Sequence, residues 1–226
     1  MDNNFNQMWN QQEYVARYNQ VYPLLDQDCQ LYCDLLQIKM DDHLLDLGCG
    51  EGYFVKKLLE MGIKKITVVD VSGEQLERLR EKLTPQEEQK LTIIEGDFES
   101  ISFPQEQVTK VFARASLHHL DQLKKRLFFQ KLKSVTKKSA LFLLHDMVFD
   151  FPKEELNQQM PRLLQEASVH YGDRWILKKE DIIATWFDEF PEDFKTWISV
   201  CKEGGLELVG RKRITSFLSI LLFSKI

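Results

Sequence analysis

The sequence predicts one α/β domain: a mostly parallel sheet of seven strands, helices on both faces, a C-terminal antiparallel hairpin and a helical cap. Three observations predict it. Short apolar runs alternate with helical periods from His43 to about residue 150, the pattern of parallel strands joined by right-handed crossovers. The first of these runs ends in three alternating glycines. The chain closes on two β-rich runs, Leu206–Thr215 and Phe217–Ser224, whose connection is so tight that they must pair antiparallel.

The elements follow in order. Two helical stretches lead, at about Met8–Asn19 and Leu24–Leu36. His43–Leu47 is the first strand and Tyr53–Met61 an amphipathic helix stopped by Gly62. Ile66–Val71 is a β-branched strand, followed by a helix over about Glu74–Leu83, with Pro85 in the loop beyond. Leu91–Glu95, Val108–Ala113 and Ala140–His145 read as three more strands, with a helix at about Leu120–Val135 between the last two. Residues 151–190 read as helices without a strand, and Glu192–Lys202 as a further helix. At 226 residues the chain suits a single domain. It divides into an N-terminal helical cap (1–40), a ligand-binding core (41–150), a helical lid insertion (151–190), and the last helix with the hairpin (191–226).

Composition excludes several classes. Hydrophobic residues make up 43% and charged residues 29%, as in ordinary globular proteins. A formal charge of -5 argues against a nucleic-acid surface. The basic run Lys124, Lys125, Arg126, Lys131, Lys133, Lys137 and Lys138 reads as a solvated helix face. Cys29, Cys33, Cys49 and Cys201 match neither a zinc pattern nor a disulfide framework. The polar start, Met1 to Gln12, lacks an export signal, and Phe217–Phe223 is too short to span a bilayer. A cytoplasmic protein with no membrane partner is expected.

The richest segment is Leu44-Leu45-Asp46-Leu47-Gly48-Cys49-Gly50-Glu51-Gly52-Tyr53. In an open α/β sheet this turn lies at the carboxyl edge, where ligands bind, and glycine leaves no Cβ in a ligand's way. Asp70 ends the second strand, where a carboxylate can accept from both hydroxyls of a ribose. Asp97, after the third strand in Gly96-Asp97-Phe98, can accept from an adenine amino group while Phe98 offers an apolar face. Each acid alone is more often a solvated loop end. Together, at the ends of three successive strands, they point to a nucleoside-bearing ligand.

These motifs resemble the class I S-adenosylmethionine-dependent methyltransferases. Asp46-Leu47-Gly48-Cys49-Gly50-Glu51-Gly52 is similar to their D/E-x-G-x-G-x-G motif, Asp70-Val71-Ser72 to the ribose-binding acid, and Gly96-Asp97-Phe98 to the adenine loop. Phe112-Ala113-Arg114 through Leu117-His118-His119-Leu120 is similar to the fourth-strand segment of small-molecule members. Trp9 to Tyr18-Asn19 resembles the family's leading helix, with Asn19 where Asp is usual. The resemblance implies a Rossmann-like fold, S-adenosylmethionine as cofactor, and contacts from Tyr18, Asp46, Gly48, Cys49, Gly50, Gly52, Asp70, Val71, Asp97, Phe98 and Arg114. A nicotinamide dehydrogenase would need G-x-G-x-x-G, and Tyr53 stands where its third glycine falls. Glu51 in the turn would repel a diphosphate.

Methyl transfer from a sulfonium asks chiefly for alignment, and with an amine or thiolate acceptor desolvation alone can carry it, whereas a hydroxyl acceptor is helped by a base. The candidates are His118, His119, His145 and Asp146, with His119 and Asp146 singled out as catalytic. If the base is His119 or His118, the rate should fall as an imidazole of ordinary pKa, about 6.5, becomes protonated. His118, His119, His145 and His170 lack the i, i+4 spacing of a metal pair, so no metal is expected. Tyr171 and Trp175 flank the Gly172-Asp173 turn, and one of them is expected in an acceptor pocket. The absence of an N/D-P-P-Y/F/W segment after strand four argues against base-flipping methylation. The expected function is methyl transfer to a small-molecule acceptor. The alternatives are a non-catalytic S-adenosylmethionine or S-adenosylhomocysteine binder, or a protein methyltransferase. Both the N-terminal helix and residues 151–190 are expected to close over the ligand.

Overall fold

A computed structural model describes residues 8–103 and 108–226. The strands are β1 (His43–Leu47), β2 (Lys65–Asp70), β3 (Leu91–Glu95), β4 (Val108–Arg114), β5 (Thr136–Phe149), β6 (Glu192–Asp193), β7 (Leu206–Arg213) and β8 (Leu218–Lys225). Seven lie in the order β3-β2-β1-β4-β5-β8-β7, and β6 pairs with β5 off this path. The pairs β3–β2, β2–β1, β1–β4 and β4–β5 are parallel. β8 runs antiparallel to both β5 and β7. After β3 the chain crosses back to lay β4 beside β1. The carboxyl ends of β1 and β4 therefore send their connections to opposite faces and leave a crevice between them.

The helices of eight residues or more are α1 (Gln12–Val21), α2 (Asp26–Leu36), α3 (Tyr53–Glu60), α4 (Gly73–Glu81), α5 (Gln122–Val135), α6 (Leu156–Tyr171), α7 (Trp175–Asp188) and α8 (Phe194–Glu203). Where a loop is expected, Pro85 instead opens a single helical turn, Pro85–Glu88, capped by Thr84. α2, α3 and α4 cover one face, burying Tyr32, Leu36, Phe54, Leu58, Leu76 and Leu79 against the β1 and β2 side chains. α5 and α8 cover the other with Phe128, Phe129, Leu132, Trp197 and Val200. In α3 the buried residues Phe54, Val55, Leu58 and Leu59 recur at the helical period, which is why this segment is a helix lying on the sheet. Burial of each such side chain contributes about 1.5–3 kcal/mol. A third cluster belongs to the cap. Leu163, Ala167, Ile182 and Trp186 of α6 and α7 close on Met147, Phe149 and Phe217.

Four boundaries differ from the sequence expectation. The leading helix begins at Gln12, because Trp9 and Asn10 are engaged by the turn after β2, and it runs on to Val21, ahead of Pro23. β5 extends to Phe149 because its end pairs with β6 and packs under the cap. Glu192–Asp193 is strand, and the Asp193 side chain accepts from Thr196 N at 2.9 Å to start α8 at Phe194, two residues later than expected. The basic run is not uniformly solvated, since Lys125 is wholly buried. The four cysteines are free thiols. Among the described residues no helix is long and apolar enough to cross a membrane.

Candidate active site

The glycine turn is shaped from both sides. Gly48 has φ +76°, and a Cβ there would stand 2.5 Å from the Ser116 Cβ, so the β4 connection is packed against bare backbone. Ser116 fixes this approach by donating its hydroxyl to Leu47 O at 2.8 Å. Gly52 has φ +75°, and its missing Cβ is replaced by Leu79 Cδ1, 2.1 Å from where it would be. Gly52 thus lets α3 dock against α4.

Asp70 ties the turn to β2. Gly50 N donates to its Oδ2 at 2.7 Å and Ser72 N to its Oδ1 at 2.9 Å, and each oxygen keeps a further acceptor direction toward the cavity. Burial raises the Asp70 pKa, and the amides of Ser72, Gly50 and Val71 hold it back. Asp46 has no such relief: burial, then the neighbouring Asp70, pushes it up to about 8. Asp97 accepts from Glu99 N at 2.9 Å and Ser100 N at 2.8 Å, both on Oδ1.

These carboxylates open on one cavity of about 520 Å³, within the size range of small-molecule sites. Its opposite wall is the N-terminal segment, with Trp9, Tyr18, Asn19, Tyr22, Pro23 and Leu24. That segment is docked on the turn following Asp70. Ser72 donates its hydroxyl to Trp9 O, Gly73 N donates to Asn10 Oδ1 at 2.9 Å, and Asn19 and Gln75 exchange amide bonds at 3.0 Å. The Trp9 ring meets Tyr18 edge-on at 4.8 Å and His119 at 6.3 Å.

The third wall comes from the turn after β4. His118 is buried, its Nδ1 against Asp146 Oδ1 and its Nε2 2.9 Å from Glu189 Oε2. Burial opposes its charge, but Asp146 and Glu189 overcome this and raise His118 to about 10, so it is an imidazolium at neutral pH. The other Asp146 oxygen accepts from Leu117 N at 3.0 Å and His118 N at 3.3 Å. His119 faces the cavity, with its ring 4.2 Å from that of His118. Burial, then repulsion from His118, lowers it to about 4. The acid limb expected near 6.5 from an ordinary imidazole is therefore displaced well downward.

The structure brings together on one cavity Tyr18, Asp46, Gly48, Cys49, Gly50, Asp70, Val71, Asp97, Phe98, Arg114 and His119. It does not place Gly52 or Asp146 on the wall. Gly52 stands behind it as the N-cap of α3. Asp146 is 1% exposed, with its oxygens taken by His118 and main-chain amides, so it cannot reach an acceptor directly. Tyr171 and Trp175 stack on each other at 6.0 Å in the cap and do not line the cavity. His145 is half-buried with its ring against the Tyr32 hydroxyl, and desolvation lowers its pKa to about 3.

Sequence spacing did not reveal Glu189, which lies about 70 residues beyond the histidines it meets, and no local signal marks it. Among the described residues, His118, His119 and Glu189 bring ligand-type atoms within 4.8 Å of one another. Both ring nitrogens of His118 already face carboxylates, and the group is treated as an ion-pair chain.

Comparison with known proteins agrees with this arrangement. Residues 44–139 match a family model described as a methyltransferase domain. An uncharacterised methyltransferase of Geobacillus sp. (strain WCH70) is 27% identical over 153 residues, covering 68% of this chain and 67% of the relative. One of Alkaliphilus oremlandii (strain OhILAs) is 26% identical over 165 residues, covering 68% and 71%. Among solved structures, magnesium protoporphyrin IX methyltransferase from Synechocystis PCC 6803, with bound SAH, superposes with a TM-score of 0.66 at 13% identity, covering 98% of each chain. That likeness shows the fold. The family match over residues 44–139, the curated relatives and the glycine turn with its flanking acids all agree with the resemblance to class I S-adenosylmethionine-dependent methyltransferases.

Proposed function

We propose that the chain methylates a small-molecule acceptor held between the glycine turn and the N-terminal segment. The observation that supports this most is the cavity itself. Carboxylates line its glycine-turn end, while aromatic rings, Arg114 and His119 line the rest, beneath a helix that covers it. A covered chamber suits a small acceptor better than a protein surface, and a wall reaching past the cofactor residues suits an enzyme better than a simple binder.

The residues fit S-adenosylmethionine. Gly48 and Gly50 border the cavity with backbone in the left-handed region, φ +76° and +55°. Asp70 keeps acceptor directions for ribose hydroxyls, Asp97 keeps Oδ2 for the adenine amino group, and Phe98 supplies the apolar face. Asp46 suits the cationic amino end, and Tyr18 and Arg114 suit the carboxylate end. Cys49 and Val71 complete the wall. Bound there, the cofactor supplies a methyl carbon already activated by positive sulfur. The chain's own part is alignment, exclusion of water by the N-terminal segment, and uptake of the acceptor's proton at neutral His119. Asp146 acts behind the wall, through His118. Four free thiols suit a reducing compartment, and we place the protein in the cytoplasm on that ground.

Two measurements test this. Calorimetry with S-adenosylhomocysteine on Asp70→Ala should show affinity lower by at least tenfold, since a hydrogen bond to a charged group is worth about 1.5–3 kcal/mol. Unchanged affinity would refute the ribose assignment. Labelled S-adenosylmethionine incubated with a metabolite extract should yield a labelled small molecule; label on protein alone would refute the acceptor class.

A further inference from the structure

We infer that Glu189, delivered from the end of the cap helix, is a positioning residue that sets the orientation and tautomer of His119 on the cavity wall. The inference rests on the reading of His119 as the residue that meets the acceptor.

One oxygen of Glu189 lies 2.9 Å from His118 Nε2 and 3.5 Å from His119 Nδ1. It therefore serves both histidines at once, and Asp146 holds the far nitrogen of His118. Glu189 is itself fixed from the main chain beside it. Phe190 N donates to His118 O at 2.9 Å, and the buried Lys125 ammonium donates to both Phe190 O and Leu120 O. Three elements thus meet here: the end of β5 through Asp146, the turn after β4 through the two histidines, and the end of α7 through Glu189. Both sides of the seam are nailed down. A side chain that only closed a salt bridge to His118 would not need to stand between two imidazoles, one of which lines the cavity.

The charge pattern gives the arrangement its chemistry. The groups facing His119 are His118, Glu189, Asp146 and Lys125, with the Trp9 ring at its edge. Asp146 and Glu189 are anions and His118 is a cation, so these three groups carry one surplus negative charge beside neutral His119, while the Lys125 ammonium is held on the carbonyls of Leu120 and Phe190. A carboxylate beside Nδ1 favours the proton on that nitrogen and leaves the Nε2 lone pair as the acceptor. When Nε2 takes a proton from the acceptor's hydroxyl, the new imidazolium sits against Glu189 and the surplus charge is cancelled. The acceptor oxygen forms its bond to the methyl carbon, the sulfur keeps the electron pair of the broken bond, and the proton remains on His119. Glu189 need never touch the substrate.

The test uses full-length chain labelled with ¹⁵N in its histidines and saturated with S-adenosylhomocysteine, since two-bond ¹⁵N–¹H spectra read tautomers without an acceptor. From pH 6 upward, wild-type His119 should be a neutral ring carrying its proton on Nδ1, and His118 an imidazolium. In Glu189→Gln the His119 tautomer ratio should fall roughly tenfold toward a mixture, because the anion 3.5 Å from Nδ1 that favours a proton there is removed. Glu189→Asp should restore part of it. Calorimetric affinity for S-adenosylhomocysteine should stay within about twofold in both variants, because Glu189 is not on the cavity wall. An unaltered tautomer in a Glu189→Gln chain that melts as wild type and binds the ligand would overturn the inference. Stoichiometric zinc in purified wild type, with both imidazoles shifted on its removal, would overturn it as well. Failure of wild type to bind the ligand would instead strike the functional reading beneath it. If Glu189→Gln does not fold, Glu189→Asp decides: an Nδ1 proton population identical to wild type with the carboxylate withdrawn by a methylene contradicts control by that group.

Discussion

Two helical segments lie over the carboxyl edge of this sheet, and they are built differently. The cap, α6 and α7, has a core of its own, with Trp186 wholly buried 5.1 Å from Phe217, yet no residue from 151 to 190 lines the cavity. The N-terminal segment is the reverse. α1 buries only Val15 and Val21, but residues 9–24 form a whole wall of the cavity. Its attachments are largely polar: Trp9 and Asn10 to the Ser72–Gly73 turn, Asn19 to Gln75, and Arg17 to Asp181 at 3.0 Å. A segment held mainly by polar contacts opens at lower cost than one holding a packed core. The cap therefore stands outside the cavity and sends one residue, Glu189, against His118 and His119, and α1 is the segment expected to move. Closure by α1 alone is thus the alternative to set against the expectation that both segments close over the ligand.

The largest effect should come from the cap core. Trp186→Ala should cost about 3–5 kcal/mol of stability, the usual range for a buried tryptophan, as read by urea unfolding. The affinity of the remaining folded molecules for S-adenosylhomocysteine should barely move. A large loss of affinity in a chain that stays folded would make the cap part of the binding wall and break the comparison.

A smaller effect sharpens the other side. Asp46 has a raised pKa of about 8 without ligand, so at pH 6 it is protonated, and a ligand with a cationic end favours its ionised form. Affinity should rise as pH goes from 6 to 7, by up to about tenfold for the unit, with a proton released on binding. Asp46→Asn, which retains only the ligand's own titration, should lose that dependence. Calorimetry in buffers of different ionisation enthalpy reads both. A wild-type profile identical to that of Asp46→Asn would separate Asp46 from the ligand's cationic end.

What was legible in the sequence follows the same division. The path from β1 through Gly48 to α3, Asp70 ending β2 and Asp97 after β3 are each read from a few consecutive residues, because strand period, glycine and chain order suffice to place them at one edge. The seven mostly parallel strands and the terminal hairpin follow likewise. Contacts set by packing across the chain were not legible. Lys125 looks like part of a solvated basic run, yet the carbonyls of Leu120 and Phe190 hold it inside. Asp146 looks like an edge residue facing the ligand, yet His118 and the main chain turn it away. Glu189 has no local signature at all, since its meaning comes from the loop it meets far back in sequence.

The most direct test of the lid assignment is hydrogen exchange with and without S-adenosylhomocysteine. The account predicts new protection at residues 9–24 together with the turns at 48–52, 70–73 and 96–99, while 156–188 exchanges at the same rate in both states. Protection gained in 156–188 with 9–24 unchanged would contradict it.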